Sequence, residues 1–283
     1  MALRLQKNEA ARLAPAHLEL LHAAVLDACD AQDGVKDGVV DDPRRCAFDP
    51  GAWRCRGTPD GSCLTAAQVE TAREMYAVKT NRSTGREIPP LYRGSELGWT
   101  ATGWSNSAQD IGLNQFRYLV FKDPLWEPGA FDFDRDLARA EDADHDTINA
   151  LDPDIRAFVD RGGRLIQYHG WNDPQISPGI SVQYHNRVAA ALGGAERARA
   201  AYRLFMAPGM GHCGGGEGPS TFDMLTALEQ WVEQGKAPDR IVAARRANGA
   251  VDRTRPLCPY PQVAIYKGSG STDEAENFVC GVR

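Results

Sequence analysis

Helix and strand patterns alternate through the second half of the chain, and this alternation constrains the fold more than any other sequence feature. Helices are predicted for 152–163, 177–194 and 220–236, and short buried strands for 164–170 and 201–209. The segments "RIVAARR" and "QVAIYKG" are further strand candidates near the end of the chain. Regular alternation of helix and strand is typical of a parallel α/β sheet. The sequence therefore predicts an α/β fold.

The first half of the chain has fewer regular patterns. Apolar residues recur at helical spacing in 16–28, and a second helix is predicted for 64–78. Thr65 and Gln68 have the spacing of a capping box at the start of that second helix. Residues 80–148 show no steady period and are rich in glycine, asparagine, aspartate and aromatic residues. We interpret this stretch as an irregular insertion outside the sheet.

The cysteines predict disulfides. Six of the seven fall into pairs that close short loops: Cys29 with Cys46, Cys55 with Cys63, and Cys258 with Cys280. The chain has no CxxC motif, which disfavours finger-type zinc sites. Three disulfides predict an oxidising compartment. The seventh, Cys213, stands directly beside His212 among glycines and has no local partner.

Charge and hydropathy exclude several classes of protein. The chain has 283 residues and a net charge of −6, which argues against a general surface for nucleic acid or anionic membranes. No apolar run approaches the roughly 18–20 residues that a membrane span requires. The N-terminal stretch "MALRLQKNEAARLAPAHLEL" is too polar for a signal peptide, so the sequence as given carries no export signal.

Two loops that follow predicted strands carry an acid and a base. Asp173 follows the strand at 164–170, and His212 follows the strand at 201–209. Because functional groups in parallel sheets gather at the carboxyl ends of strands, we expect the two side chains to meet. An acid after one strand and a histidine after the next is also the order of the last two α/β-hydrolase triad residues. The alternative is that Asp173 caps a turn and His212 is an ordinary loop residue.

An aspartate-rich loop is the second chemical signal. Asp30, Asp33 and Asp37 lie within eight residues and would repel one another without a cation. Oxygen ligands in a flexible loop suit calcium, and the carbonyl groups of Val35 and Val39 could complete the set. The spacing is not that of an EF-hand, and the alternative is a solvated acidic turn. A second acidic stretch, 132–154, lacks spaced glycines, and we interpret it as a solvated face.

Three segments together resemble the tannase and feruloyl esterase family. They are "CDAQDGVKDGVVDDPRRCAFDP", "YHGWNDPQISP" and "GMGHCGGGEGP", in that order, and the resemblance covers essentially the whole chain. It implies an α/β-hydrolase fold, secretion or a periplasmic location, and hydrolysis of feruloyl, galloyl or terephthalate monoesters. By position, Asp173 corresponds to the triad acid and His212 to the base. Cys213 corresponds to one half of a disulfide whose other half stands beside the nucleophilic serine.

The same resemblance implies a structural calcium ion and a lid over the acyl pocket. The calcium ligands correspond to Asp30, Asp33, Val35, Asp37 and Val39, with the valines binding through their carbonyl groups. The three cysteine pairs correspond to further disulfides of the family. The stretch 80–148 corresponds to part of the lid, where Trp104, Phe116 and Arg117 are candidate substrate contacts.

The nucleophilic serine that this resemblance implies has no counterpart in the sequence. A Cys-Ser-x-Gly-Gly elbow is expected upstream of the calcium loop, and this chain contains none. The segments "GWSNS" (103–107) and "GSGST" (268–272) do not fit GxSxG, and Ser177 is better explained as a helix cap. We therefore expect the C-terminal portion of an esterase. Its divisions are a calcium-loop region at 1–63, a lid part at 64–150 and a core at 151–283.

Other readings of the chain stay open. One is a catalytically inactive, calcium-stabilised module that binds aryl acids. Another is one half of a split esterase, completed by an N-terminal half on a separate chain. An exposed sheet edge would also favour a homodimer. A metal hydrolase that uses the aspartate loop ranks last, because calcium is a poor generator of hydroxide.

Overall fold

The computed structural model describes residues 9–102, 109–144 and 147–283. The chain forms two compact units, each discontinuous in sequence. Unit 1 consists of Met1–Leu21, Asp49–Leu91 and Leu97–Asp152. Unit 2 consists of His22–Phe48, Tyr92–Glu96 and Pro153–Arg283.

The regular elements are numbered in chain order. The α-helices are α1 (Pro15–Cys29), α2 (Ala66–Met75), α3 (Gln109–Asn114), α4 (Phe133–Asp144), α5 (Arg156–Asp160), α6 (Gly179–Ala191), α7 (Ala195–Arg199) and α8 (Met224–Gln234). The strands are β1 (Lys79–Thr80), β2 (Glu87–Ile88), β3 (Leu165–Gly170), β4 (Tyr202–Ala207), β5 (Ile241–Ala247), β6 (Ala250–Leu257), β7 (Val263–Tyr266) and β8 (Phe278–Gly281). Short 3₁₀ turns include Asp30–Asp33 and Pro43–Arg45.

Unit 2 is built on the parallel pair β3 and β4. Their register runs from Leu165 opposite Tyr202 to Gly170 opposite Ala207. Every residue of β4 is buried. Because strand side chains alternate between faces, β4 contributes to two apolar clusters. Tyr202, Leu204 and Met206 pack with Trp171, Val188 and Leu192, whereas Phe205 and Ala207 pack with Met210, Ile241 and Leu257. The predicted parallel α/β arrangement is therefore present.

The late strands of unit 2 form antiparallel pairs, β5 with β6 and β7 with β8. The sequence pattern predicts β5 and β7 but not β6 or β8. The β6 segment "AVDRTRPL" is strongly charged, which hid its strand character. Two of its arginines, Arg253 and Arg255, are nevertheless buried because both pair with Asp37. Ion pairing therefore brings charged residues into a strand that hydrophobic patterning cannot detect.

Unit 1 contains the predicted capping box. The backbone N–H of Gln68 donates to Oγ1 of Thr65 at 3.2 Å, and the N–H of Thr65 donates to Oε1 of Gln68 at 2.9 Å. The prediction that 80–148 is irregular was wrong in part, because the stretch contains strand β2 and helices α3 and α4. The acidic side chains Asp134 and Asp136 lie in the first turn of α4, where they interact favourably with the helix dipole.

The three predicted disulfides are present. They join Cys29 to Cys46, Cys55 to Cys63, and Cys258 to Cys280. Cys213 is free and exposed. In the part of the chain that the structure describes, no helix has both the length and the apolar character needed to cross a membrane.

Candidate functional site

The loops after β3 and β4 meet because the backbone of Gly170 passes very close to Met210. A Cβ atom on Gly170 would lie only 2.1 Å from the carbonyl oxygen of Met210, so a side chain cannot be accommodated there. The backbone N–H of Asn172 then donates to this same carbonyl at 3.0 Å. This contact holds the segment that carries Asp173 against the segment that carries His212.

Asp173 is fixed by its own turn. The backbone N–H groups of Gln175 and Ile176 donate to its Oδ1 atom, at 2.8 and 2.9 Å. Asp173 is only 3% exposed. The carboxylate therefore has one oxygen held by backbone and one, Oδ2, directed to side chains.

His212 binds the remaining oxygen of that carboxylate. Its Nδ1 atom lies 2.8 Å from Oδ2 of Asp173. Because an ionised carboxylate only accepts hydrogen bonds, Nδ1 carries the proton and Nε2 of the neutral ring is left as the acceptor. The side chain of His212 is 34% exposed, and among the described residues Nε2 has no hydrogen-bond partner. The arrangement can accept a proton at Nε2 and stabilise the resulting imidazolium ion.

A second histidine, His169, contacts the same carboxylate and was missed by the sequence analysis. Its Nε2 atom lies 3.2 Å from Oδ2 of Asp173. The signal in the sequence was a histidine at the end of β3, four positions before the predicted acid. Strand-end position alone did not distinguish it from an ordinary buried polar residue.

The pKa of Asp173 reflects these contacts. Burial raises it, but the hydrogen bonds from His169, Ile176, His212 and Gln175 outweigh burial and hold the pKa at about 2. Hydrogen bonds to a charged group favour the charged form. Asp173 is therefore ionised throughout the neutral range, as an acid that orients a catalytic base must be.

Ser181 is linked to this pair through His169 and is not placed as a nucleophile. Its Oγ atom lies 2.7 Å from Nδ1 of His169 and accepts a hydrogen bond from Nε2 of Gln167 at 3.0 Å. Ser181 lies within α6 and is only 5% exposed. A substrate carbonyl has no access to a hydroxyl buried in this way.

Cys213 follows His212 in a loop with unusual backbone geometry. Its φ angle is +45°, in the left-handed region, and the next three glycines also have positive φ angles. The thiol is exposed. The correspondence of Cys213 to half of an additional disulfide stays a prediction.

The aspartate loop is ordered largely by its own backbone. Asp30 accepts from the N–H groups of Asp37 (3.0 Å) and Gly38 (2.9 Å), and Asp33 accepts from the N–H of Val35 at 2.9 Å. Burial raises the pKa of Asp33, and the charge of Asp37 adds to this effect. These contacts explain why a short acidic segment adopts a defined turn.

The donor chemistry of this loop fits calcium, although the present arrangement is not a closed metal site. Asp33, Asp37 and Val39 border one small cavity together with Asp41, and all can offer oxygen ligands. In residues 9–102, 109–144 and 147–283, however, no group of three or more acidic, histidine or cysteine side chains is arranged to hold a metal. The carboxylate of Asp37 is instead paired with Arg255.

The candidate substrate contacts lie in unit 1 or outside the described residues. Phe116 lies in the π-helical turn Gln115–Val120, and its ring centroid is 5.0 Å from that of Phe131. Arg117 donates from Nε to the carbonyl oxygen of Trp126 at 3.0 Å. Trp104 lies outside the described residues. A role for these three residues in substrate binding stays a prediction.

Comparisons with known proteins agree with the sequence resemblance. The sequence model described as "Tannase and feruloyl esterase" matches residues 2–281. An uncharacterized esterase of Xanthomonas campestris is 39% identical, over 96% of this chain and 56% of its own length. The mono(2-hydroxyethyl) terephthalate hydrolase of Piscinibacter sakaiensis is 38% identical, over 94% of this chain and 51% of its own length.

A solved structure gives the same result for the fold. The crystal structure of an esterase from Aspergillus oryzae superimposes with a TM-score of 0.92 and 30% identity, covering 99% of this chain and 60% of that one. The chain thus spans about half the length of the curated relatives it matches. Matches over nearly all of this chain, in both sequence and structure, place it in the tannase and feruloyl esterase family.

Proposed function

We propose that this chain carries the acid and the base of a serine carboxylesterase with an α/β-hydrolase fold that acts on esters of aromatic acids. The observation that carries the proposal is the contact between Nδ1 of His212 and Oδ2 of Asp173, at 2.8 Å, with Nε2 of His212 unpartnered among the described residues. Membership of a family of ester hydrolases supports the reaction type. The nucleophilic serine lies outside this chain.

In this mechanism His212 accepts a proton and then donates it in each of the two halves of the reaction. Nε2 accepts the proton of the serine hydroxyl as the serine oxygen bonds to the ester carbonyl carbon. The imidazolium, stabilised by Asp173, then returns that proton to the alkoxide as the ester C–O bond breaks. In the second half, His212 takes a proton from a water molecule as the water oxygen bonds to the acyl carbon. It then returns this proton to the serine oxygen as the aromatic acid is released. Asp173 stays ionised throughout, in keeping with its lowered pKa.

The substrate class is proposed from relatives. The family description refers to tannase and feruloyl esterase, and one relative is a mono(2-hydroxyethyl) terephthalate hydrolase. Galloyl, feruloyl and terephthalate monoesters share a planar aryl acid joined to an alcohol through one ester bond. The three disulfides support an oxidising location, either secreted or periplasmic.

We further propose a structural calcium ion at the aspartate loop. Asp30, Asp33 and Asp37 would bind it through carboxylates, and Val35 and Val39 through carbonyl groups. Its contribution would be to neutralise the clustered negative charge and stiffen the loop, with no part in the bond-breaking steps. Asp37 would exchange its contact with Arg255 for the cation.

The edge of β3 supports the proposal that another segment completes the site. Within the described residues β3 pairs with β4 alone, so its other edge has no strand partner there. An unpaired strand edge is a ready template for another strand. The complementary N-terminal half of an esterase, or a second copy of this chain, would pair there.

The test is hydrolysis of methyl gallate, methyl ferulate and mono(2-hydroxyethyl) terephthalate. The chain is assayed alone and together with the polypeptide encoded upstream of Met1, fused or co-expressed, with His212→Ala as the matched control. We expect turnover only in the combined protein, and its loss in His212→Ala. Turnover by the chain alone that His212→Ala abolishes would place the nucleophile inside the chain and overturn that part of the proposal.

The inactive-module alternative predicts a different result from the same material. In that case the combined protein shows no turnover, while ferulate and terephthalate still bind, as measured by calorimetry. A result of this kind would replace the esterase proposal with an aryl-acid binding function.

A further inference from the structure

A continuous chain of hydrogen bonds leads from the core of unit 2 to the carboxylate of Asp173. The hydroxyl of Tyr202 donates to Oε1 of Gln167. Nε2 of Gln167 donates to Oγ of Ser181 at 3.0 Å, and that Oγ lies 2.7 Å from Nδ1 of His169. Nε2 of His169 reaches Oδ2 of Asp173 at 3.2 Å.

The groups that can only accept decide which atom donates in each of these hydrogen bonds. Nε2 of His169 faces two groups that can only accept, Oδ2 of Asp173 and the carbonyl oxygen of Ile176, both at 3.2 Å. It therefore carries the ring proton, and Nδ1 is left as an acceptor. Ser181, whose oxygen already receives the Gln167 amide, is free to donate its own proton to Nδ1.

We propose that His169 is a positioning residue of the esterase site, a permanent second donor to the carboxylate that His212 uses. Ser181, Gln167 and Tyr202 hold its ring in the orientation that makes this contact. The inference rests on the proposed function, because it gives these residues a role through Asp173 and His212. His169 itself touches neither substrate nor the reacting atoms.

Burial makes this arrangement persistent. Tyr202 is fully buried, Ser181 is 5% exposed, and the side chain of His169 is 14% exposed. Hydrogen bonds in such a dry environment are strong, and an unsatisfied member is costly. These hydrogen bonds therefore hold His169 in one orientation, and His169 in turn shares Oδ2 of Asp173 with His212.

Sharing one oxygen between two imidazole rings has two effects. Four donors, two from backbone and two from rings, satisfy Asp173 completely and resist its rotation. The donor from His169 also withdraws negative charge from Oδ2, so the bond from His212 is weaker than it would be alone. Loss of His169 should shorten that bond and also free the carboxylate to move.

The first test uses NMR on the whole chain with ¹⁵N-labelled histidine and ¹³C-labelled aspartate. In His169→Leu we expect the pKa of Asp173 to rise by roughly one unit, because one donor to the charged form is lost. The Nδ1 proton of His212 should move downfield. In His169→Gln both signals should return close to wild type, since the glutamine amide can place a donor where Nε2 was. Equal values in wild type, His169→Leu and His169→Gln would overturn the proposal.

Ser181→Ala provides a milder variant that should fold normally. It removes the donor to Nδ1 of His169 and leaves every atom that touches Asp173 in place. We expect the ¹⁵N signal of His169 Nδ1 to shift, because this nitrogen loses its donor, while Nε2 keeps its proton against Asp173 and Ile176. Tyr202→Phe should give a smaller change of the same kind, and Tyr266→Phe, whose hydroxyl bonds Gly270 instead, should give none. An unchanged Nδ1 signal of His169 in Ser181→Ala would show that Ser181 does not hold the histidine ring.

These readouts keep the inference separable from the proposed function. The NMR signals are measured without turnover, so they decide the role of His169 even where no ester is hydrolysed. In an active combined protein, His169→Leu should lower kcat with little change in KM, and His169→Gln should restore it. If the combined protein hydrolyses esters and His169→Leu has the same kcat as wild type, the proposed function stands and the positioning role of His169 is wrong.

Discussion

Nδ1 of His212 lies 2.8 Å from Oδ2 of Asp173, although 39 positions separate the two residues in the chain. The contact joins the loops that follow two adjacent parallel strands, β3 and β4. Because both strands point the same way, their carboxyl ends meet at one edge of the sheet. The site is therefore a direct consequence of strand direction.

The lowered pKa of Asp173 predicts a pH-dependent contribution to stability. Its pKa is about 2 in the folded chain, against an ordinary value of 3.8. A carboxylate with a depressed folded pKa stabilises the fold above its unfolded pKa, and this contribution is lost as the pH falls from about 4 to about 2. Asp173→Asn should lower the free energy of unfolding by about 2 kcal/mol at pH 7. The deficit should shrink towards pH 2.

Urea denaturation at a series of pH values measures this difference. Asp160→Asn is the control, because Asp160 forms an exposed pair with Arg197 that should contribute little. A deficit for Asp173→Asn that is the same at pH 7 and pH 2 would mean that its charge does not stabilise the fold.

The sequence was sufficient for features that depend on local spacing or strand order. The disulfides could be predicted because the paired cysteines are only 8 to 22 positions apart. Asp173 and His212 could be predicted to meet because each follows one of two predicted strands in a parallel arrangement. In both cases short stretches of chain carry the whole signal.

Features that depend on distant partners could not be predicted. β6 contains Arg253 and Arg255, which pair with Asp37, more than 200 positions away, and also contact Asp273 and Thr272. His169 is a different case: its partners Asp173 and Ser181 are only 4 and 12 positions away, but a histidine at a strand end carries no pattern that predicts those contacts. No pattern within either segment reveals such a partner.

Gly170→Ala should disturb the site without touching a functional side chain. Its new methyl group would lie 2.1 Å from the carbonyl oxygen of Met210, so one of the two backbone segments must move. We expect a loss of about 1–3 kcal/mol in the free energy of unfolding, typical of overpacking. The Nδ1 proton signal of His212 should shift or broaden, because the β3 and β4 loops separate.

The matched control for this substitution is Gly57→Ala. An added Cβ at Gly57 meets no atom within 4 Å, so stability should be nearly unchanged. Wild-type stability together with an unchanged His212 signal in Gly170→Ala would show that the close approach does not hold the loops together.

The disulfide pattern predicts one reactive thiol. Cys213 is exposed and free, and the other six cysteines are paired. Titration with a thiol reagent under non-reducing conditions should give one equivalent per chain, and none in Cys213→Ser. Replacing both Cys258 and Cys280 with serine should cost about 3 kcal/mol, because their bond closes a loop of 22 positions. More than one reactive thiol in the oxidised chain would contradict the pairing.

The proposed calcium ion predicts that chelation lowers thermal stability. If calcium binds only the folded loop, a concentration 100 times its Kd stabilises the fold by about 2.7 kcal/mol, which corresponds to a Tm shift of roughly 5–10 °C. A chelator should remove this shift, and Asp33→Asn should melt at the same temperature with and without calcium. Asp60→Asn is the control, because Asp60 lies in an exposed loop outside the proposed ligand set and should retain the full response. A wild-type Tm that calcium and chelator leave unchanged would contradict the proposal and show that calcium does not bind this loop.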